Sequence, residues 1–563
     1  LVSKPGFLLK NMIHSQKNNC NFSWRRMIAA VLFLTTAPLT AHFLFSHIGY
    51  NPTDDGFTLA YARRILEGQI PHKDFIIIRP FISPLLHLPV VMFGGDNMYL
   101  WSRFVVWMQM AWIALCSVEL TRILMGWPER AWDYFALAVT AFALSMGTWP
   151  VMAWHTIDGL LFLVTGMLLV SMKRPVLRYG GYFCVAYAYL CKQSFIMAAP
   201  LLLFILGDWR QWKYWVVVML PGVVYLIYLL ASGAFPEAMV QFQSHSSLLP
   251  IVGRFSARVN GYIFWVYLAL RLLNGGLGSD NSGWRRKYEW YQWGGLILIL
   301  AMPVANAMIS LYGGRFNPFS LFWGVAGITV YAIVERFSVN IKYYIKPSLM
   351  ALLAGWSVAV SVGAITPRLA SGLFICVLLA QGAPLFKLRP LACSSVLTII
   401  AVVACVSFWN GRQLFVYMEQ PAANLTEPLR DIFPGGNNIY TNPNTHKFLK
   451  DLQKAIEVAK AMDRPYAILP DVPGYWAGAV QVNPLPIDWA KNTELKHPAV
   501  LQRLLADIES KRGEVTFLVQ KYEAFPLRYG FRRLTDAHKF AVAVYVRRRF
   551  EKIADTECFE IYQ

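Results

Sequence analysis

The chain has 563 residues, of which 56% are hydrophobic, only 15% charged and 20 are Trp; no soluble globule of this size hides so much apolar surface, so composition excludes an ordinary soluble enzyme. Its formal charge of +20 would suggest nucleic acid in a soluble chain, but here Lys and Arg fall in short clusters between apolar runs, where they set membrane topology. Nucleic acid is therefore not an expected partner.

In chain order, Lys4, Lys10, Lys17, Arg25 and Arg26 precede the first apolar run, which begins at Met27. Basic residues before such a run resemble a secretory leader, yet about 20 residues suffice for a crossing and a dozen further runs follow, so it reads as a first span. The runs lie near 27–47, 99–121, 131–149, 156–172, 179–192, 194–207, 214–232, 258–273, 291–310, 318–335, 348–364, 369–386 and 391–409. The expectation is a polytopic α-helical membrane protein of about 13 transmembrane helices. Cationic clusters at Arg122/Arg130, Lys173/Arg174/Arg178, Arg210/Lys213, Arg285/Arg286/Lys287, Lys342/Lys346 and Lys387/Arg389 then fall on the same side as residues 1–26, the cytoplasmic side. An odd number of spans puts the first loop, 48–98, and the polar region 410–563 outside.

That region carries the signals of a small α/β domain. Helical spacing in "KFLKDLQKAIEVAKAM" and "PAVLQRLLADIESK" alternates with strand-like "YAILP", "VTFLVQ" and "KFAVAVYVRR". The eight Cys include no CxxC pair, so neither a disulfide framework nor structural zinc is expected.

The most unusual stretch follows the first span: "TDDGFTLAYARRILEGQIPHKDF", with Asp54 and Asp55 adjacent. From Phe57 onward it reads as an amphipathic interfacial helix, and the two acids then fall at or before its N-terminus, where Asp commonly caps. Other ionisable groups recur at the same expected face: His72, Asp74 and Arg79 in the same loop, His155 and Asp158 in "WHTIDGLLFL", Lys192 in "YLCKQSF" and Arg315 in "YGGRFNPF". Ionisable groups beside apolar spans are costly unless used. Two carboxylates among several cations suit an anionic, phosphate-bearing ligand, with a carboxylate available to accept a proton.

The acid pair before "ARRILEGQIP" and "DF", the following "RP", the "KQS" break, the "GGRF" loop and "YAILPDVPGYWAG" together resemble the GT-C fold glycosyltransferases of the protein O-mannosyltransferase and lipid A aminoarabinose transferase superfamily. The resemblance implies transfer of a sugar from a polyprenyl-phosphate donor to a glycan, glycolipid or protein acceptor at the outer face of the inner (plasma) membrane. It assigns Asp54 as general base in an inverting transfer and Asp55 as a positioning acid. Arg79 would contact the carrier phosphate, with Lys192 and Arg315 completing a clamp, and Asp158 would organise the acceptor side. His72, Asp74 and His155 complete the candidate binding residues. Pro318 and Phe319 stand where relatives often carry His-Tyr, a departure at the Arg315 loop. Some members use a divalent cation; His72, Asp74, His155 and Asp158 have no closed metal spacing, so no metal is expected. A lipid-linked saccharide transporter or flippase would place its charges near mid-bilayer and show repeated spans. An O-antigen polymerase or ligase would rely on a large mid-chain outer loop.

Overall fold

A computed structural model describes residues 23–244, 253, 259–276, 282–334, 341–360, 366–385, 390–535 and 538–563. The expected cytoplasmic cations Lys4, Lys10, Lys17, Lys387 and Arg389 lie outside these residues. The principal helices before the C-terminal region are α1 (Trp24–Phe45), α2 (Phe57–Leu66), α3 (Met98–Met125), α4 (Ala131–Met146), α5 (His155–Ser171), α6 (Pro175–Cys191), α7 (Ala198–Leu206), α8 (Trp212–Ala231), α9 (Val259–Gly276), α10 (Ser282–Leu311), α11 (Phe319–Val334), α12 (Ile341–Ala359), α13 (Ser371–Leu385) and α14 (Pro390–Leu414), with shorter ones at Ile82–Leu86, Leu88–Phe93 and Phe235–Phe242. All the principal helices but α2 overlie the apolar runs read from the sequence. Among the described residues, four are long and apolar enough to cross a membrane: α1, Gly95–Met125, α8 and Leu391–Leu414. Large apolar side chains such as Phe43, Met219, Ile227, Leu391 and Ile399 stand exposed on α1, α8 and α14, a surface compatible with lipid and unusual for a soluble chain.

Small residues bring the helices together. A Cβ on Gly166 of α5 would stand 2.7 Å from the Gly181 carbonyl of α6, and one on Gly181 would stand 2.8 Å from the Gly166 carbonyl, so the two backbones touch in the manner of membrane helix pairs. Buried aromatic and aliphatic side chains, including Phe33, Trp107, Leu137 and Phe374, fill the space between the remaining helices.

After α14 the chain builds a smaller layered region. A two-residue antiparallel ladder joins β1 (Glu427–Pro428) to β2 (Tyr440–Thr441), and four strands, β3 (Tyr466–Leu469), β4 (Thr516–Gln520), β5 (Lys552–Asp555) and β6 (Phe559–Tyr562), pair in the order β3-β4-β6-β5. The β3 and β4 strands run parallel, Tyr466 opposite Thr516, whereas β4–β6 and β6–β5 are antiparallel. Helix α15 (Pro443–Lys460) starts where the Asn442 side chain accepts from the Thr445 amide, with Pro443 at the first position. Helix α16 (Pro498–Ser510) lies in the crossover from β3 to β4.

Two expectations are corrected here. "KFAVAVYVRR" is no strand: Ala541–Arg549 form helix α17, whose buried residues Val542, Ala543 and Val546 follow helical spacing, so packing onto the sheet overrides β-branched propensity. The antiparallel pair β5–β6 lies in the last dozen residues instead. Nor is α2 an interfacial helix. Phe57 to Ala62 and Arg64 are all buried, and Arg64 is held by both oxygens of Asp488 at 2.7 Å and by the Leu485 carbonyl at 2.6 Å. Its cationic face, apparently solvent-seeking in the sequence, meets an acid supplied by distant chain.

The opening loop is stitched to the C-terminal region. Gly49 N–H donates to the Tyr440 carbonyl and Tyr440 N–H to the His47 carbonyl, both at 2.8 Å. Gly56, at φ +89°, lies so close to Gly474 that a Cβ would stand 2.7 Å from its Cα, which reserves the position for glycine.

Candidate active site

Asn51 builds the turn that carries the acids. Its side-chain oxygen accepts from the Thr53 and Asp54 amides at 3.1 and 2.9 Å, and its carbonyl accepts from Asp55 N–H at 2.9 Å. The left-handed Gly56 then opens α2 without any side-chain cap, so neither acid serves as the N-cap that its position suggested. The two carboxylates go to different partners.

Asp55 is buried against Arg103 of α3 at 2.7 Å. The same guanidinium donates to the Ser46 carbonyl at 2.7 Å and the Gly49 carbonyl at 2.6 Å, gathering the end of α1 and the loop after it. Burial raises the Asp55 pKa while Arg103 opposes the rise. Asp55 is therefore held in place, consistent in geometry with a positioning role.

Asp54 has no ion pair among the described residues. Its Oδ2 accepts from the Tyr417 hydroxyl at 2.7 Å, just beyond α14. Burial pushes its pKa up to about 6; the Tyr417 bond and Lys491 pull it down, and Asp471 and Asp55 push it further up. Asp471 lies in the "YAILPDVPGYWAG" stretch, where it accepts from Thr53 Oγ1 at 3.1 Å and Trp489 Nε1 at 2.8 Å and pairs with Lys491 at 3.1 Å. The next residue, Val472, adopts φ +101°, a strained conformation for a β-branched side chain of the kind concentrated at functional sites.

The expected three-cation clamp is not assembled. Arg79 lies within electrostatic reach of Asp54, but both arms of its guanidinium are taken by Glu494, at 2.9 and 3.1 Å. Lys192 neighbours Arg79 and donates to Thr156 Oγ1 at 2.8 Å. Arg315 lies elsewhere, exposed, with its guanidinium 4.4 Å from the Phe415 ring centre. It belongs to a different row, Arg103–Arg412–Arg368–Arg315, each arginine electrostatically close to the next. Arg412 donates to the Met146 carbonyl and covers the Trp107 ring at 4.9 Å, while Arg368 donates to Thr148 and to the Phe316 carbonyl at 2.9 Å. Among the described residues Arg315, Arg368 and Arg412 have no carboxylate partner, and the buried Nε of Arg412 has no acceptor. A cavity bordered by Asp55, Arg103, Arg412 and Tyr417 adjoins this row.

The remaining candidates are each engaged by side chains and backbone elsewhere in the fold. His72 is fully buried between Gln241 Oε1 at 3.0 Å and the Tyr225 hydroxyl at 2.8 Å. Asp74 accepts from the Ile70 amide at 2.7 Å, closing its own loop. His155 stacks on Phe57 at 5.3 Å and supports α2. Asp158 does not cap α5, whose N-cap is Trp154; it takes contacts from Ser83, from His87 at 3.2 Å and from Gln109 at 2.8 Å. These four side chains serve separate partner sets, and among the described residues no three His, Cys, Asp or Glu converge to hold a metal. These four side chains therefore do not fit a shared divalent-cation site.

Sequence reading missed Arg103, Arg412 and Arg368, although an arginine in or beside an apolar run is itself a signal. Asp471 was within a stretch already singled out. Tyr417, Lys491 and Glu494 carry no local pattern at all, because only the fold brings the first two to Asp54 and the third to Arg79. No protein-family model matches the chain, and no curated protein matches it significantly.

An Asp54 that accepts a proton must be ionised, so any activity that depends on it is expected to fall about tenfold per pH unit below an apparent pKa near 6. A pH-rate profile checks this. An acid limb near 4, the range of an unburied Asp, contradicts the assignment.

Proposed function

We propose that this chain is a membrane-embedded glycosyltransferase of the GT-C type with thirteen crossings, its loop 48–98 and its region 410–563 on the outer side of the inner membrane. It moves a sugar from a polyprenyl-phosphate donor to an envelope glycan, glycolipid or protein. The observation that carries this reading is Asp54: buried, without an ion pair among the described residues, protonating near pH 6, and set between the helical bundle and the C-terminal region.

In this mechanism Tyr417 occupies Oδ2 of Asp54 and Oδ1 faces the acceptor hydroxyl. As that oxygen attacks the anomeric carbon, its proton passes to Asp54, the bond to the phosphate oxygen breaks with its electron pair leaving on the phosphate, and the anomeric centre inverts. Phosphate leaves as an anion and needs positive charge rather than a proton. The row of Arg412, Arg368 and Arg315, without a carboxylate partner among the described residues, rather than the Glu494-bound Arg79, supplies that positive charge. Arg412→Gln is expected to weaken binding of polyprenyl phosphate about tenfold or more while Arg79→Gln weakens it less; the reverse order, measured by titration in nanodiscs, contradicts this placement.

The defining experiment is mass spectrometry of envelope glycans from cells with and without the chain, complemented by wild-type or Asp54→Asn protein. A saccharide that disappears on deletion and returns only with wild type identifies donor sugar and acceptor together. Unchanged glycans, or full rescue by Asp54→Asn, removes the reading.

A further inference from the structure

Beyond the acid and the arginine row, one exposed feature of the C-terminal region lies close to the tyrosine that holds Asp54. Tyr529 is 80% exposed, at the end of a short helical turn, Leu527–Tyr529. The guanidinium of Arg528 lies 4.5 Å from its ring centre, and Phe525 nearby is also exposed. This turn is not a loose end. Gln420 Nε2 donates to the Arg528 carbonyl and Asn444 Nδ2 to the Leu527 carbonyl, both at 2.9 Å.

The first of those contacts matters most, because Gln420 follows by three residues the tyrosine that holds Asp54. Arg528 is close enough to Tyr417 for its charge to act on that hydroxyl. Its Nε is buried and has no acceptor among the described residues, and an unsatisfied buried N–H is costly unless a ligand completes it. A line therefore runs from Asp54 through Tyr417 and Arg528 to an open aromatic face.

We propose that Arg528 and Tyr529 form a subsite for the acceptor, and that the acceptor is a glycan at least two sugar rings long. A pyranose or furanose presents a C–H face that stacks on an aromatic ring and an edge of hydroxyls that accept from a guanidinium. The ring carrying the attacking hydroxyl would lie at Asp54 and a further ring on Tyr529. This rests on the transferase reading above and narrows its acceptor from glycan, glycolipid or protein to a saccharide chain. An anionic lipid headgroup is the other class that an exposed Tyr beside Arg528, Arg532 and Arg533 could meet, but Arg532 is turned to Glu523 at 3.5 Å, and Arg528 lies close enough to Tyr417 for its charge to act there.

The test uses Asp54→Asn protein in nanodiscs, so that binding is read without turnover, against an array of bacterial envelope oligosaccharides. Expected is binding to a subset of glycans, weakened at least tenfold by adding Tyr529→Ala or Arg528→Gln and retained with Tyr529→Phe. Tyr529 is exposed, and an unchanged melting temperature shows that the fold is intact. The proposal is overturned if no glycan binds, if Tyr529→Ala binds as the parent does, or if its effect appears only in discs containing phosphatidylglycerol, which marks a headgroup anchor. Sugar transfer by Asp54→Asn would sink the base assignment and leave this outcome standing or falling on its own.

Discussion

Asp54→Asn is expected to lower sugar transfer about 10²- to 10⁴-fold, the range of a lost general base, and at the same time to make the folded protein more stable. The second half follows from proton linkage. Asp54 has a folded pKa of about 6 against an ordinary value of 3.8, so between those values the folded state binds more protons than the unfolded chain, and stability falls as pH rises through that window. Above pH 6 the ionised carboxylate costs the fold on the order of 3 kcal/mol, which a neutral amide of the same shape avoids. The Tyr417 hydroxyl can still donate to the amide oxygen. Thermal unfolding at pH 7.5 and pH 4.5 checks both signs: the gain from Asp54→Asn should be full at the higher pH and reduced to about a third at the lower. A carboxylate kept for architecture would behave oppositely, losing stability on substitution at pH 7.5.

Arg103→Ala should do the reverse, destabilising the fold by about 3–5 kcal/mol, because it strands Asp55 as an unpaired buried charge. The carbonyls of Ser46 and Gly49 lose their donor in the same step. Pairing the change with Asp55→Asn should return part of the loss, since the stranded charge is then gone. Unfolding of both variants in the same detergent reads the difference. If Arg103→Ala and the double variant unfold alike, the two side chains do not act as a buried pair.

How far the sequence disclosed this arrangement depends on the range of the interaction concerned. Helical runs were legible because apolar composition over about 20 residues is a local property, and the break at Lys192 falls where the "KQS" punctuation put it, between α6 and the turn at Gln193–Phe195. The acid pair was legible because two adjacent carboxylates beside a greasy run are unusual in themselves. What each acid does was not. Asp54 and Asp55 are identical in sequence context, and their separation into a neutral-leaning and a paired carboxylate comes from Tyr417 and Arg103, which lie 363 and 48 residues away. Arg79 failed as a free cation for the same reason, since Glu494, 415 residues distant, takes its fork. The amphipathic pattern of α2 was read correctly as a pattern and wrongly as a surface, because periodicity reports that two faces differ and not what covers the polar one. In "KFAVAVYVRR" the alternation of β-branched residues and alanine satisfied strand and helix templates at once.

The ladder that joins His47 and Gly49 to Tyr440 also orders events during synthesis. The loop bearing both acids leaves the ribosome hundreds of residues before Tyr440, Asp471, Lys491 and Glu494 do, so a nascent chain carries two unsheltered carboxylates and an ordinary aqueous Asp. Only when the final third has emerged and folded against that loop does Asp54 lose its water and acquire its unusual proton affinity.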